Sequence, residues 1–327
     1  MSAQLHTSLN AGLQQFFANK PFQKTAVLQS LWSGYGEIAR YGDDSGHSVI
    51  VKWIAPQQGD SHHPRGWNTS RSHARKLSSY HNERVFYQSY AKHTNQACKV
   101  PQLFAADQIG DSSWLLLEDL DALGFRVRMP AISNALIRKG LAWLAAFHAQ
   151  FLQCDCADLW PIGSYWHLDT RPDEWEAMAD SELKYQARAI DKKLHSSVHK
   201  TLLHGDAKIA NFCFSDDLSG LAAVDFQYVG QGSGVIDVMY FLGSCLEEAE
   251  LEQHAEDLLA YYFSTFADAC NGVLSATQIQ AVINEWQDLY CFAWADFERF
   301  LSGWSPGHYK LTGYSLSQTQ LALSRLP

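Results

Sequence analysis

Between residues 204 and 226 the sequence reads His204-Gly205-Asp206-Ala207-Lys208-Ile209-Ala210-Asn211, then two short apolar runs, then Val224-Asp225-Phe226-Gln227. Ser215-Asp216-Asp217-Leu218-Ser219-Gly220 is turn-forming and separates the apolar runs Phe212–Phe214 and Leu221–Val224, so the pattern predicts a β-hairpin. Positions 211 and 225 are symmetric about the turn. Asn211 and Asp225 therefore face each other across the hairpin's open end. An amide oxygen and a carboxylate converging there are hard ligands suited to Mg2+. Asp206 enters the same hairpin five residues earlier, where a carboxylate can take a proton from a substrate hydroxyl. Few folds hold such a set together, and this stretch constrains the chain more than any other.

The first third reads mostly as strands. Thr25–Trp32 and Glu37–Tyr41 flank the turn Ser33-Gly34-Tyr35-Gly36, where Gly34 and Gly36 would let backbone N–H groups approach phosphate oxygens. Ser48–Ile54 is β-branched and apolar. Lys52 lies inside it, and a lysine with its head near a core needs an anion. A helix over Tyr80–Tyr90 places Glu83 on the stripe of Phe86, Tyr87 and Tyr90, and a carboxylate there also needs a partner. The economical solution is a Lys52–Glu83 pair. Pro56–Lys76 is polar and reads as an exposed insertion, about residues 55–78. Asn68-Thr69-Ser70 within it is a glycosylation sequon without meaning in a cytoplasmic chain. Pro101–Ala105 and Trp114–Leu117 read as further strands, the second running into the acidic linker at Glu118-Asp119. From about residue 121 the period becomes helical, with Leu136, Ile137, Leu141, Leu144, Phe147, His148, Phe151 and Leu152 on one stripe. Short strands return at Thr201–His204, Phe212–Phe214 and Leu221–Phe226. The last 80 or so residues are helical again.

His-Gly-Asp followed by Asn211 and Asp225 resembles the catalytic loop and metal segment of the protein-kinase-like phosphotransferases, in the branch of aminoglycoside phosphotransferases and choline kinases. The HGDAKIANF and VDFQ wording is most similar to the ecdysteroid-kinase-like (CHK kinase-like) families. The resemblance covers the chain from about residue 25 onward. It implies an α+β, bilobal fold: a small antiparallel β lobe with one main helix over residues 1–118, which binds nucleotide, and a larger, mostly helical catalytic and acceptor-binding lobe over 119–327. It implies ATP as donor, held through Lys52 and Glu83, Gly34 and Gly36, and backbone groups at Glu118 and Leu120. Mg2+ would sit on Asn211 and Asp225. Asp206 would act on the acceptor hydroxyl, and Lys208 would neutralise charge on the transferred phosphoryl group. His204 and Asp237 read as structural, with Asp237 bonding backbone groups of the catalytic loop.

Twelve positions separate Asp225 from Asp237, too few for the segment with which a protein kinase docks peptide. The expected acceptor is a small-molecule alcohol: choline-like, aminoglycoside-like, a sugar or a steroid. The alternatives are a degenerate nucleotide-binding pseudokinase acting as an interaction module and, less favoured, a protein kinase. The net charge is −10, which argues against a nucleic-acid partner. Residues 1–117 carry 11 Lys and Arg against 7 Asp and Glu, and the remainder 14 against 28. The acidic second part favours a cationic acceptor, which late aromatics such as Trp286, Tyr290, Trp294, Phe297, Trp304 and Tyr309 could face. Residue by residue, core is the commoner role for such aromatics. No apolar run approaches the ~20 residues of a membrane span. The N-terminus shows no secretory signal, and the seven cysteines include no CxxC, so the expectation is a soluble, cytoplasmic protein.

Overall fold

The computed structural model describes residues 2–31, 34–56, 70–129 and 132–327. The turn residue Ser33, Trp32, and positions 57–69 of the polar insertion with most of its sequon lie outside these residues. No described helix is long and apolar enough to cross a membrane.

The chain packs as two units. The first comprises residues 1–93, 100–127 and 213–224. It opens with a helix, α1 (Ser2–Phe16), that the strand-dominated reading of this region omits. Leu5, Leu9 and Leu13 recur every four residues and form one stripe. That stripe is buried with Phe17 against Val49, Val51, Trp114 and Leu116 of the sheet. The sheet has five strands: β1 (Phe22–Ser30), β2 (Gly36–Asp43), β3 (Ser48–Ile54), β4 (Leu103–Ile109) and β5 (Ser112–Glu118), in the order β1-β2-β3-β5-β4. All four pairings are antiparallel. The mixed α+β architecture, with an antiparallel sheet and a helical body, agrees with the expectation. Gly36 is fixed by packing, since a Cβ there would meet the Trp53 carbonyl oxygen at 1.9 Å.

The helix expected at Tyr80–Tyr90 begins ten residues earlier, as α2 (Ser70–Val85), so positions 70–78 of the polar segment are helical. It closes in a single π-turn, Phe86–Tyr90. The wider turn keeps Phe86, Tyr87 and Tyr90 buried together.

The second unit comprises residues 94–99, 128–212 and 225–327. Its helices are α3 (Asn134–Gln150), α4 (Pro172–Ala177), α5 (Glu182–His195), α6 (Val235–Cys245), α7 (Glu248–Cys270), α8 (Ala276–Trp304) and α9 (Gly313–Ser324). Ser133 caps α3, accepting from the Leu136 N–H, and so starts the predicted long helix. Two short strands, β6 (Thr201–Leu203) and β9 (Gly230–Gly232), pair antiparallel. Between them in sequence the predicted hairpin forms from β7 (Phe212–Phe214) and β8 (Leu221–Ala223), residues 213–224 of which belong to the first unit.

Candidate active site

In the first unit, Lys52 of β3 and Glu83 of α2 form the expected ion pair, with Nζ 2.6 Å from Oε2 and both side chains buried. Such a pair persists because each charge removes the other's uncompensated burial. Lys52 also lies over the Tyr80 ring, 5.7 Å from its centre. The Gly34 N–H donates to the Leu31 carbonyl (3.3 Å), and the Gly36 carbonyl accepts from Leu31 (2.8 Å). At the linker, the Glu118 N–H donates to the Gln102 carbonyl (2.8 Å), while the Leu120 carbonyl accepts from Leu123 (3.1 Å) and Phe125 (2.9 Å).

Arg40 of β2, unremarked in the sequence, fastens this linker. Its Nε donates to Asp119 Oδ2 at 2.6 Å and its Nη2 to Asp121 Oδ2 at 2.5 Å. Ser48 Oγ also donates to Asp119 (2.6 Å). The bonds from Arg40 and Ser48 outweigh burial and hold the Asp119 carboxyl below its usual range.

In the second unit the candidate catalytic loop, residues 204–211, hangs from α6. Asp237 is wholly buried; Oδ2 accepts from the His204 N–H (2.6 Å) and Oδ1 from the Gly205 N–H (3.0 Å), the structural role expected of it. His148 Nε2 lies 3.2 Å from the same carboxylate and its Nδ1 2.8 Å from the Tyr262 hydroxyl. Gly205 has φ +78°, and a Cβ would fall 2.0 Å from the Tyr228 carbonyl oxygen, so this loop admits no side chain between His204 and Asp206. His204 is buried against Phe226, and its Nδ1 accepts from the Asp206 N–H (3.3 Å).

These anchors aim Asp206. Its Oδ2 accepts from Lys208 Nζ (2.9 Å) and Asn211 Nδ2 (3.0 Å). Among the described residues its Oδ1 is buried with no hydrogen bond of good geometry, although the Tyr240 phenol also interacts with this carboxylate. A buried carboxylate oxygen left open in an otherwise bonded loop calls for a group from outside, such as a hydroxyl. Burial, reinforced by the charge of Asp225 and opposed by Lys208, raises the Asp206 carboxyl above its usual range and makes it a stronger base. Burial disfavours the Lys208 ammonium, but Asp206's charge and hydrogen bond prevail and raise its pKa.

Asn211 also donates from Nδ2 to the Asp206 carbonyl (2.8 Å), so its amide nitrogen is committed to the loop and its oxygen is the atom suited to a metal. Asp225 has φ +70°, a left-handed conformation uncommon for a non-glycine residue. Its Oδ1 accepts from Gln227 Nε2 (2.7 Å). Asn211 and Asp225 thus flank the hairpin as expected, and an amide and a carboxylate fit a hard divalent cation.

The sequence reading passed over a second layer. Tyr240 and Ser244 follow Asp237 at offsets 3 and 7, on one face of α6. Ser244 Oγ accepts from the Ile209 N–H (2.9 Å). Tyr240 and Tyr165 are hydrogen-bonded to each other (3.2 Å), and burial followed by nearby charges, Asp206 among them, raises both phenols well above their usual range. The face shared with Asp237 would have revealed the α6 residues. No local signal marks Lys310, whose Nζ lies 5.1 Å from the centre of the Tyr240 ring. Burial lowers its ammonium to about 8, against the opposing pull of Asp206. The aromatic lining expected from α8 is largely core: Trp286, Tyr290, Phe292, Trp294 and Phe297 are all buried, because that helix packs on several sides. Tyr309 alone of the late aromatics named is mostly exposed.

A model of the ecdysteroid kinase-like family matches residues 165–274, which includes the candidate catalytic loop and α6. The fold is similar to that of an amicoumacin kinase solved with AMP-PNP, Ca2+ and Ami, at TM-score 0.50 and 13% identity over 98% of this chain and 95% of that one. The chain has the protein-kinase-like phosphotransferase fold. Other similar structures are a microcompartment-associated aminopropanol kinase (TM-score 0.48, 13% identity, 97% and 94% covered) and a choline/ethanolamine kinase family protein from Mesorhizobium loti (0.45, 12%, 99% and 96%). Among the curated proteins none matches this sequence.

Proposed function

We propose that this chain is an ATP- and Mg2+-dependent small-molecule kinase that transfers the γ-phosphoryl group to an acceptor hydroxyl. The observation that carries the reading is the buried Oδ1 of Asp206, without a hydrogen-bond partner among the described residues, on a carboxylate whose other oxygen is tied to Lys208 and Asn211. In this reading Asp206 orients the acceptor hydroxyl and receives its proton, and Lys208 balances charge near the transferred group. Lys52, set by Glu83, holds nucleotide phosphates, assisted by the Gly34–Gly36 turn. The adenine edge bonds the Glu118 carbonyl and the Leu120 N–H. Asn211 and Asp225 would hold the Mg2+, which supplies neutralisation of phosphate charge when bound.

The acceptor is small in this reading, because β9 and α6 follow Asp225 almost directly. Choline-like, aminoglycoside-like, sugar and steroid alcohols all meet that limit. A cationic acceptor has the net charge of residues 118–327 in its favour. Against it stand the cations Lys208 and Lys310 in the neighbourhood of Asp206. We favour an acceptor that is neutral or carries an anionic group near its reacting hydroxyl.

The test is a radiolabelled phosphate-transfer screen over alcohols of each charge class, with a protein acceptor as control. Transfer to a small alcohol, with the Mg2+ response lost in Asp225→Ala, is the expected result. A full Mg2+ response in that variant would refute the metal assignment. Tight nucleotide binding without transfer to any acceptor would favour the pseudokinase reading.

A further inference from the structure

Away from the catalytic loop, three side chains of the second unit converge. Asp191 and His195 lie four residues apart on α5, and so on one face. His167 comes from the segment just before the short turn Leu168–Thr170. His167 Nε2 is 3.8 Å and His195 Nε2 3.5 Å from Asp191 Oδ1. The three ligand atoms all lie within 4.8 Å of one another. At these separations neither imidazole makes a sound hydrogen bond to the carboxylate.

All three atoms, His167 Nε2, Asp191 Oδ1 and His195 Nε2, are buried without a hydrogen-bond partner among the described residues. One such atom can be a packing accident, but three facing a common point leave a shared deficit that a single bound species would remove. We propose that His167, Asp191 and His195 form a binding site for a divalent transition metal of the zinc class.

The chemistry fits that ion. Two imidazoles and one carboxylate are a usual three-residue set for Zn2+. Ligand bonds of about 2.0–2.1 Å in tetrahedral geometry put ligand atoms roughly 3.3 Å apart, so the two contacts to Asp191 need to tighten only slightly, while the two imidazole nitrogens, within 4.8 Å, would have to draw closer. Ca2+ and Mg2+ prefer all-oxygen shells. Ligation takes the imidazoles in their neutral form and the carboxyl ionised. The surrounding charges are Asp169, Asp296, Arg188, Lys200 and Arg299, with Arg299 engaged by Asp296 at 2.8 Å. The Asp191 side chain is 21% exposed although its Oδ1 is buried, and three protein ligands would leave a fourth position for water.

The site has a structural consequence. It would tie α5 to the segment that carries Tyr165, whose N–H donates to the Gly205 carbonyl in the catalytic loop (3.1 Å). Metal here would brace the loop from outside without joining the reaction.

The experiment measures metal content of the full chain, purified untagged from medium containing zinc, and Zn2+ titration of the chelator-stripped protein by calorimetry. About one zinc per chain is expected, with thermal stability rising on Zn2+ addition. Asp191→Asn and His195→Gln should each weaken Zn2+ binding by about 100-fold or more, and Asp225→Ala should leave it unchanged. Stripped protein that takes up no Zn2+, or folded triad variants that retain full zinc, would overturn the proposal. Should one variant fail to fold, the other carries the comparison. The readout does not depend on phosphate transfer, so a failed kinase assay leaves this result standing.

Discussion

Lys52–Glu83 and Lys208–Asp206 are both ion pairs of a lysine and a largely buried carboxylate, yet they are finished differently. In the sheet unit both partners of Lys52–Glu83 are at most 5% exposed. In the helical unit Lys208 reaches solvent, with 39% of its side chain exposed, and one oxygen of Asp206 has no hydrogen-bond partner among the described residues. The first pair is closed and acts as an internal strut. The second is open on the acid's far oxygen, with a carboxyl that burial has made more basic. A closed buried pair is consistent with holding geometry, and an open one with doing chemistry.

Three measurements break or sharpen this contrast. The largest effect is expected at the open pair. Asp206→Asn should lower kcat by about 10²–10⁴ while nucleotide affinity stays nearly intact. Unchanged turnover would remove Asp206 from the reaction.

At the closed pair the effect should appear in stability as well as in nucleotide affinity. Lys52→Met takes the lysine cation from the buried Glu83 carboxylate, and should cost about 3–5 kcal/mol in denaturant unfolding. Adding Glu83→Leu should restore most of that loss but none of the nucleotide affinity. If the double variant recovers both, Lys52 is only a strut.

The smallest effect concerns pH. Asp206 must be ionised to accept a proton, so kcat/KM should rise with pH through a limb lying above the ordinary carboxylate value of 3.8. Lys310 loses its charge as pH rises through about 8. For an anionic acceptor kcat/KM should then fall, and Lys310→Met should flatten that alkaline limb. A limb unchanged in the variant would detach Lys310 from acceptor binding.

Much of this was legible because it is local. The hairpin between Phe212 and Ala223 follows from six turn residues flanked by apolar runs, and a hairpin needs only its own sequence. Lys52 and Glu83 were each recognisable as buried charges by their apolar neighbours, and two such charges can be expected to find each other. The leucine stripe of α1 was equally local, with Leu5, Leu9 and Leu13 in a four-residue repeat, and was overlooked only because the region reads as strands. The π-turn after α2 was not legible, since one extra residue in a turn is chosen by how Phe86, Tyr87 and Tyr90 pack.

What the sequence alone determined is therefore short-range: periodicity, turn chemistry, and the residue types on the catalytic loop. What only the tertiary structure decided is which distant side chains share an environment. Lys310 stands more than 100 residues from Asp206 and feels its charge. His167 meets Asp191 and His195 across 24 and 28 positions. The α8 aromatics could have lined a site, but packing on several sides made them core. Spacing along a chain fixes neighbours within one helix or hairpin. Convergence of separate segments depends on how the whole core packs, and no local pattern encodes it.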